Sequence, residues 1–117
     1  MFIGIFIHLM DEKGRIIIPT EFRKKLGGKV VIVKSGGYLS LYPEWEKGLK
    51  EEKIRRDERG KIKIPENLRE YAGLKRTIVL VGCWRYIEIW DRKRWEAEIS
   101  RLEKKGIDKK VAGLLDI

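Results

Sequence analysis

The chain has 117 residues, 43% hydrophobic and 38% charged, and its 27 basic and 18 acidic side chains give a formal net charge of +9. That length suits one domain, and the composition excludes a disordered or membrane-spanning chain. The basic excess points either to a polyanionic partner, usually nucleic acid, or to a charged solubilising surface, and a lone Cys83 excludes an intrachain disulfide and a cysteine-rich metal site.

Met1 to Met10 is apolar, but it has no basic leader or small-residue cleavage site and is too short to span a bilayer. The reading is a cytoplasmic protein with no membrane partner. Phe2 to Leu9 is expected as the first strand. Phe2 and Phe6 lie on one parity, and Ile3, Ile5, Ile7 and Leu9 on the other. A half-exposed strand would alternate with polar residues, so both faces are expected to be covered, one by the core and one by a neighbouring subunit. Asp11-Glu12-Lys13-Gly14 reads as a bulged hairpin turn, and Arg15 to Ile18 as the return strand. Pro19 opens a short helix from Thr20 to Leu26, stopped by Gly27 and Gly28. A second hairpin turns at Gly36-Gly37, between Val30 to Lys34 and Tyr38 to Tyr42. Pro43 to Glu52 is expected to hold a short helix with Trp45 and Leu49 on one face.

The same order then recurs. A weak strand from Lys53 to Arg56 leads into a turn at Asp57 to Gly60 and a strand over Lys61 to Ile64. A helix from Glu66 to Ala72 ends at Gly73, and a hairpin of Thr77 to Val81 and Tyr86 to Trp90 follows. Asp91 is placed to cap a helix bearing Trp95, Ile99 and Leu102. Gly106 breaks that helix, and Asp108 caps a last turn with Val111, Leu114 and Leu115. There is no Gln and only one Asn, Asn67, beside abundant Lys, Arg, Glu and Ile. That is the pattern of a thermophile.

The recurrence is an internal duplication. Asp11-Glu12-Lys13-Gly14-Arg15-Ile16-Ile17-Ile18-Pro19 is answered 46 positions later by Asp57-Glu58-Arg59-Gly60-Lys61-Ile62-Lys63-Ile64-Pro65. Phe22-Arg23 is answered by Leu68-Arg69. Halves of about 45 residues are too small to bury a core separately, so residues 1–46 and 47–117 are expected to form one pseudo-two-fold unit.

No catalytic constellation is visible. The single His8 and the single Cys83 share no pattern linking base to nucleophile. No phosphate-binding loop, metal site or cofactor site stands out. Asp11 and Asp57 suit turn closure through backbone N–H groups, with Gly14 and Gly60 supplying the turn conformation. The basic residues at the turns, Lys13, Arg15, Arg59 and Lys61, recur at equivalent places, as do Arg23 and Arg69 on the short helices. For Arg15 and Lys61, an ion pair across the turn and a DNA contact explain the pattern equally well. For Arg23 and Arg69, local packing of the stem is the stronger reading. Arg55, Arg56 and Lys63 extend the second basic stretch, as groove contacts or solvated surface. Trp45 and Trp95 look like core residues, whereas Trp84, in the last turn, suits a subunit contact.

The residues together resemble the MraZ family. The resemblance rests on Met-Phe-Ile-Gly at the start, His8, the Asp11-x-x-x-Arg15 motif, Tyr42-Pro43-x-x-Glu46, Leu68-Arg69-Glu70-Tyr71-Ala72-Gly73-Leu74, and Ile87-Glu88-Ile89-Trp90-Asp91 followed by Trp95. It runs to about Leu102. It implies a β-rich α+β fold: two tandem AbrB-like swapped-hairpin halves, each ββαββ, packed as one pseudo-two-fold barrel with peripheral helices. It implies a sequence-specific DNA-binding transcriptional regulator of the division and cell-wall gene cluster promoter, nucleoid-associated and not an enzyme, with no small-molecule substrate. Its partners would be double-stranded DNA with short repeated boxes and further copies of itself in a ring. The motif falls on Asp11 and Arg15, and in the second copy on Asp57 with Lys61 replacing Arg. Two departures from the family stand out: the segment between the halves is short, and the first strand is unusually apolar. The alternative is an antitoxin-like DNA-binding module of the same fold, whose C-terminal segment wraps a toxin.

Overall fold

The computed structural model describes residues 1–43, the backbone of 52–55, and residues 60–104. The expectations for Trp45, Leu49, Arg56, Asp57, Arg59 and the tail from Gly106 through Val111, Leu114 and Leu115 lie outside them, as do the side chains of Ile54 and Arg55.

The strands are β1 (Phe2–Leu9), β2 (Arg15–Ile17), β3 (Lys29–Lys34), β4 (Leu39–Pro43), β5 (Glu52–Arg55), β6 (Lys61–Lys63), β7 (Thr77–Trp84) and β8 (Ile87–Asp91). The helices are α1 (Thr20–Leu26), α2 (Glu66–Ala72) and α3 (Arg92–Lys104). A six-stranded antiparallel sheet has the order β1-β7-β8-β4-β3-β5, and β2 and β6 form a separate two-stranded ribbon. The fold is a small β-rich α+β arrangement.

The strand partners differ from those of simple local hairpins. The turn after β1 closes, with Asp11 N–H donating to the Arg15 carbonyl at 2.9 Å. Yet β1 does not form its ladder with β2. It pairs with β7 of the second copy, while β5 of the second copy pairs with β3 of the first. β2 likewise pairs with β6, and β4 with β8. The exchange obeys the duplication: His8 faces Ile78, and Ile54, its counterpart, faces Val30. It follows from burial. The inward residue of each three-residue ribbon strand, Ile16 or Ile62, is 1% exposed, and the two sit directly opposite one another. A two-stranded ribbon this short holds only when such a face is packed.

One core therefore draws on both copies. Ile16, Ile18, Phe22 and Leu26 meet Ile62, Ile64, Leu68 and Ala72, together with Ile32, Leu41, Leu80 and Ile89 from the sheet. In α1, Phe22 and Leu26 are four residues apart and share the buried face; Leu68 and Ala72 do the same in α2. Phe22 takes the rings of Phe2 and Phe6 edge-on, with centroids at 5.6 and 5.1 Å.

On the other face of the sheet, α3 packs through half-buried Trp95 against Val79, Val81 and Trp90. Asp91 caps this helix, accepting from Lys93 N–H at 3.1 Å and from Lys75 N–H at 3.2 Å. No helix among the described residues is long and apolar enough to cross a membrane.

Two details depart from expectation. β7 runs on to Trp84 because all eight residues of β1 lie along it. Gly4 faces Gly82, where a Cβ on Gly82 would stand 2.6 Å from the Phe2 carbonyl carbon, so only glycine permits the approach. The turn is thereby displaced to Arg85 and Tyr86. Trp84 ends the strand at φ 70° and 53% exposure. The second difference concerns cover on β1. Its Phe2 parity faces the core, but Ile3, Ile5, Ile7 and Leu9 are 49, 47, 65 and 60% exposed. The cover expected on that face is not supplied by the described residues.

Candidate nucleic-acid interface

The first turn shows what Asp-x-x-x-Arg spacing accomplishes. Asp11 Oδ1 accepts from the backbone N–H of Lys13 at 2.9 Å and of Arg15 at 2.8 Å. Its Oδ2 accepts from Arg15 Nε at 2.7 Å. Gly14, at φ 79°, completes the turn by donating to the Asp11 carbonyl at 3.0 Å. One carboxylate thus fixes the loop backbone and orients the guanidinium. The backbone N–H of Arg15, followed by the Arg15 side chain and the Lys13 N–H, holds the Asp11 carboxyl below its ordinary range despite an opposing desolvation effect. An ion pair this exposed adds little stability, so its consequence is orientation. Among the described residues, Arg15 is engaged through Nε, and the two Nη nitrogens have no hydrogen-bond partner there.

Past the turn, side chains alternate along the ribbon. Ile16, Ile18, Ile62 and Ile64 point inward at 1, 0, 1 and 0% exposure. The outward parity carries Arg15, Ile17, Lys61 and Lys63, with Arg15 opposite Lys63 and Ile17 opposite Lys61. Three cations from two sequence-distant segments so share one face of a ribbon. Lys63 stands directly across from Arg15. From the sequence it merely extends a basic stretch, and the parity that reveals its direction depends on the β2–β6 register.

Arg23 and Arg69 sit behind the turns and are half-buried. Arg23 Nε donates to the Ile18 carbonyl at 2.7 Å, and Arg69 Nε to the Ile64 carbonyl at 2.9 Å. Each reaches across the pseudo-dyad. The Arg69 guanidinium lies on Gly14, where an added Cβ would meet its Nε at 2.5 Å, and the Arg23 guanidinium lies in the same way on Gly60, at φ 80°. The ribbon ends are tied by the matching backbone bonds Ile18 N–H to Gly60 O and Ile64 N–H to Gly14 O, both 2.9 Å. Thus Arg15, Lys61, Arg23 and Arg69 converge with Gly14 and Gly60 on one structure, with Lys13 in the first turn. Asp57 and Arg59 fall outside the described residues.

The two residues that raised a catalytic question are apart. Ile3 faces Cys83 and His8 faces Ile78, five register steps along β7, or roughly 17 Å. Burial, reinforced by the charge of Glu88, pushes the Cys83 thiol up to about 12. It is therefore protonated and a poor nucleophile near neutrality.

A family model described as "MraZ protein, putative antitoxin-like" matches residues 1–55 and 49–116. The chain belongs to the MraZ family. Relatives named "Transcriptional regulator MraZ" include one from Lachnoclostridium phytofermentans, 41% identical over 83% of this chain and 86% of that protein. Another from Moorella thermoacetica is 38% identical over 82% and 85%, and one from Clostridium acetobutylicum is 32% identical over 97% and 99%. Among solved structures, the solution structure of PHS018 from Pyrococcus horikoshii is 22% identical and covers 76% of this chain and 88% of that one. Its TM-score of 0.38 is too low to support a comparison of folds.

Proposed function

We propose that this MraZ-family chain is a sequence-specific DNA-binding transcriptional regulator, acting at the promoter of the division and cell-wall gene cluster in the nucleoid. The reading rests on the outward face of the β2–β6 ribbon. A two-stranded ribbon fits the major groove, and this one carries Arg15, Lys61 and Lys63 with Lys13 at its end. Lysines contact phosphate and set position. Arg15, clamped by Asp11 through Nε, keeps the forked donors that read guanine. Arg23 and Arg69 hold the turns at the correct height. The halves 1–46 and 47–117 act as one swapped-hairpin barrel.

One chain offers few contacts, so affinity comes from linked copies on repeated boxes. Self-association in a closed ring suits the exposed apolar parity of β1, because a long apolar edge strand left open invites pairing or aggregation.

The test is fluorescence anisotropy with a duplex from the chain's own promoter region. With about four phosphate contacts per chain, affinity should fall on the order of 10²-fold between about 50 and 200 mM salt. Arg15→Ala should bind at least tenfold more weakly, the scale of one good bidentate contact. Equal binding by parent and variant rejects the reading. The antitoxin-like alternative has one favourable observation, the wording of the family description. It requires a toxin that co-purifies with the chain.

A further inference from the structure

Ile17 is an apolar side chain on a cationic face. Arg15 precedes it by two residues on β2, Lys61 lies directly opposite, and Lys63 lies diagonally across. It is 40% exposed, while Ile16 and Ile18 on either side are 1% and 0% exposed. The core therefore does not explain it. A β-branched residue suits a strand, but the duplication shows that the position does not require one. The pseudo-dyad through the Ile16–Ile62 pair carries Arg15 to Lys61 and Ile17 to Lys63. The second copy thus has a lysine where the first has isoleucine, in a ribbon of otherwise matched geometry.

We propose that Ile17 is a specificity-determining residue that packs against the C5-methyl of a thymine, beside the base read by Arg15. This rests on the DNA-binding reading above. In the major groove, base edges present donors, acceptors and one apolar group, the thymine methyl. An outward isoleucine has no other complementary feature there. Successive outward residues of a strand are about 6.6 Å apart, close to two base steps of roughly 3.4 Å. A ribbon lying along the groove then places the thymine within about two base pairs of the Arg15 contact. Lys63, at the equivalent place, meets an acceptor or a phosphate. The two strands of the ribbon consequently read unlike chemistry.

The experiment uses the full chain and a duplex that it selects from a random pool. Each thymine of that duplex is replaced in turn by deoxyuridine, which removes only the methyl group. At one thymine, the parent should lose about fourfold in affinity, the worth of one buried methyl-sized group. Ile17→Ala should bind the thymine and deoxyuridine duplexes equally. Ile17→Lys, which restores the pseudo-symmetry, should also lose the distinction and steepen the salt dependence by about one phosphate contact. The inference is overturned if no deoxyuridine weakens the parent, or if Ile17→Ala retains the same penalty. Failure of the underlying reading looks different: no duplex is selected, or Arg15→Ala binds as tightly as the parent, and the inference then falls with it.

Discussion

Gly14→Ala tests the exchange between the two copies. The substitution acts twice. It places a side chain at φ 79°, and it puts a Cβ 2.5 Å from Arg69 Nε. A non-glycine residue in that left-handed region costs about 1–2 kcal/mol. Arg69 is flexible enough to swing away, so the steric overlap itself is cheap. Swinging away breaks its bond to the Ile64 carbonyl, which contributes about 1 kcal/mol, somewhat more because the donor is charged. The total is about 2–4 kcal/mol, or roughly 8–16 °C in Tm for a domain of this size. Thermal unfolding followed by circular dichroism reads it directly. A double-mutant cycle isolates the contact: Gly14→Ala and Arg69→Ala should fall short of additivity by about 1 kcal/mol, because the same hydrogen bond is lost in both. Gly14→Ala with Arg23→Ala should add to within about 0.5 kcal/mol, since Arg23 lies on Gly60 instead. A Tm for Gly14→Ala within a degree or two of the parent refutes the reasoning. So does full additivity with Arg69→Ala, because the seat of the Arg69 guanidinium on Gly14 makes the two losses overlap.

Two further outcomes follow from the outer face of the sheet. Ile5→Lys with Ile7→Lys places two charges on the exposed parity of β1, and should convert an assembled protein into single chains in sedimentation while leaving far-ultraviolet dichroism unchanged; a parent that already sediments as single chains removes the basis for self-association. Cys83, with its thiol raised to about 12, should resist iodoacetamide at pH 8 in the folded protein, where roughly one thiol in 10⁴ is ionised, and react once unfolded. Because the folded value exceeds the ordinary 9.0, the stability linked to this thiol is full below about pH 9 and is lost as pH rises toward 12.

Much of the scaffold was legible because its signals are local. The short helices carry Pro before and Gly after, and Thr20–Leu26 and Glu66–Ala72 appear where those residues put them. The Asp11 turn was legible from a carboxylate, a glycine and an arginine at fixed offsets. Partner choice was less so. Nothing in the alternation of Phe2–Leu9 reveals that its ladder lies with residues 77–84 rather than 15–17, since a strand's periodicity describes its faces and not its neighbour. The same gap hid the outward direction of Ile17 and Lys63, which depends on register. It also hid the seat of Arg69 on Gly14, a contact between residues far apart in the chain. Trp84 was legible as a candidate contact residue at the surface, but the close passage of Gly82 against Phe2, which sets the length of β7, was not.

The exchange also bears on how so small a ribbon can present the residues proposed to read bases. A two-stranded ribbon standing alone is marginally stable at best. Here each strand is anchored at its centre by an isoleucine in the core and at its ends by hydrogen bonds to the other copy, and each turn is backed by an arginine from the opposite helix. The order exists before any partner arrives, so little entropy remains to be lost on binding. The same frame then carries unlike residues. Arg15 presents a planar fork where Lys61 presents a point charge, and Ile17 presents an apolar surface where Lys63 presents a second charge. A symmetric scaffold with an asymmetric face has one strand, β2, with side chains suited to reading bases and one, β6, with side chains suited to holding phosphate. Loss of Arg15 should therefore alter which sequence is preferred, whereas loss of the β1 stripe should alter how strongly binding depends on the number of boxes.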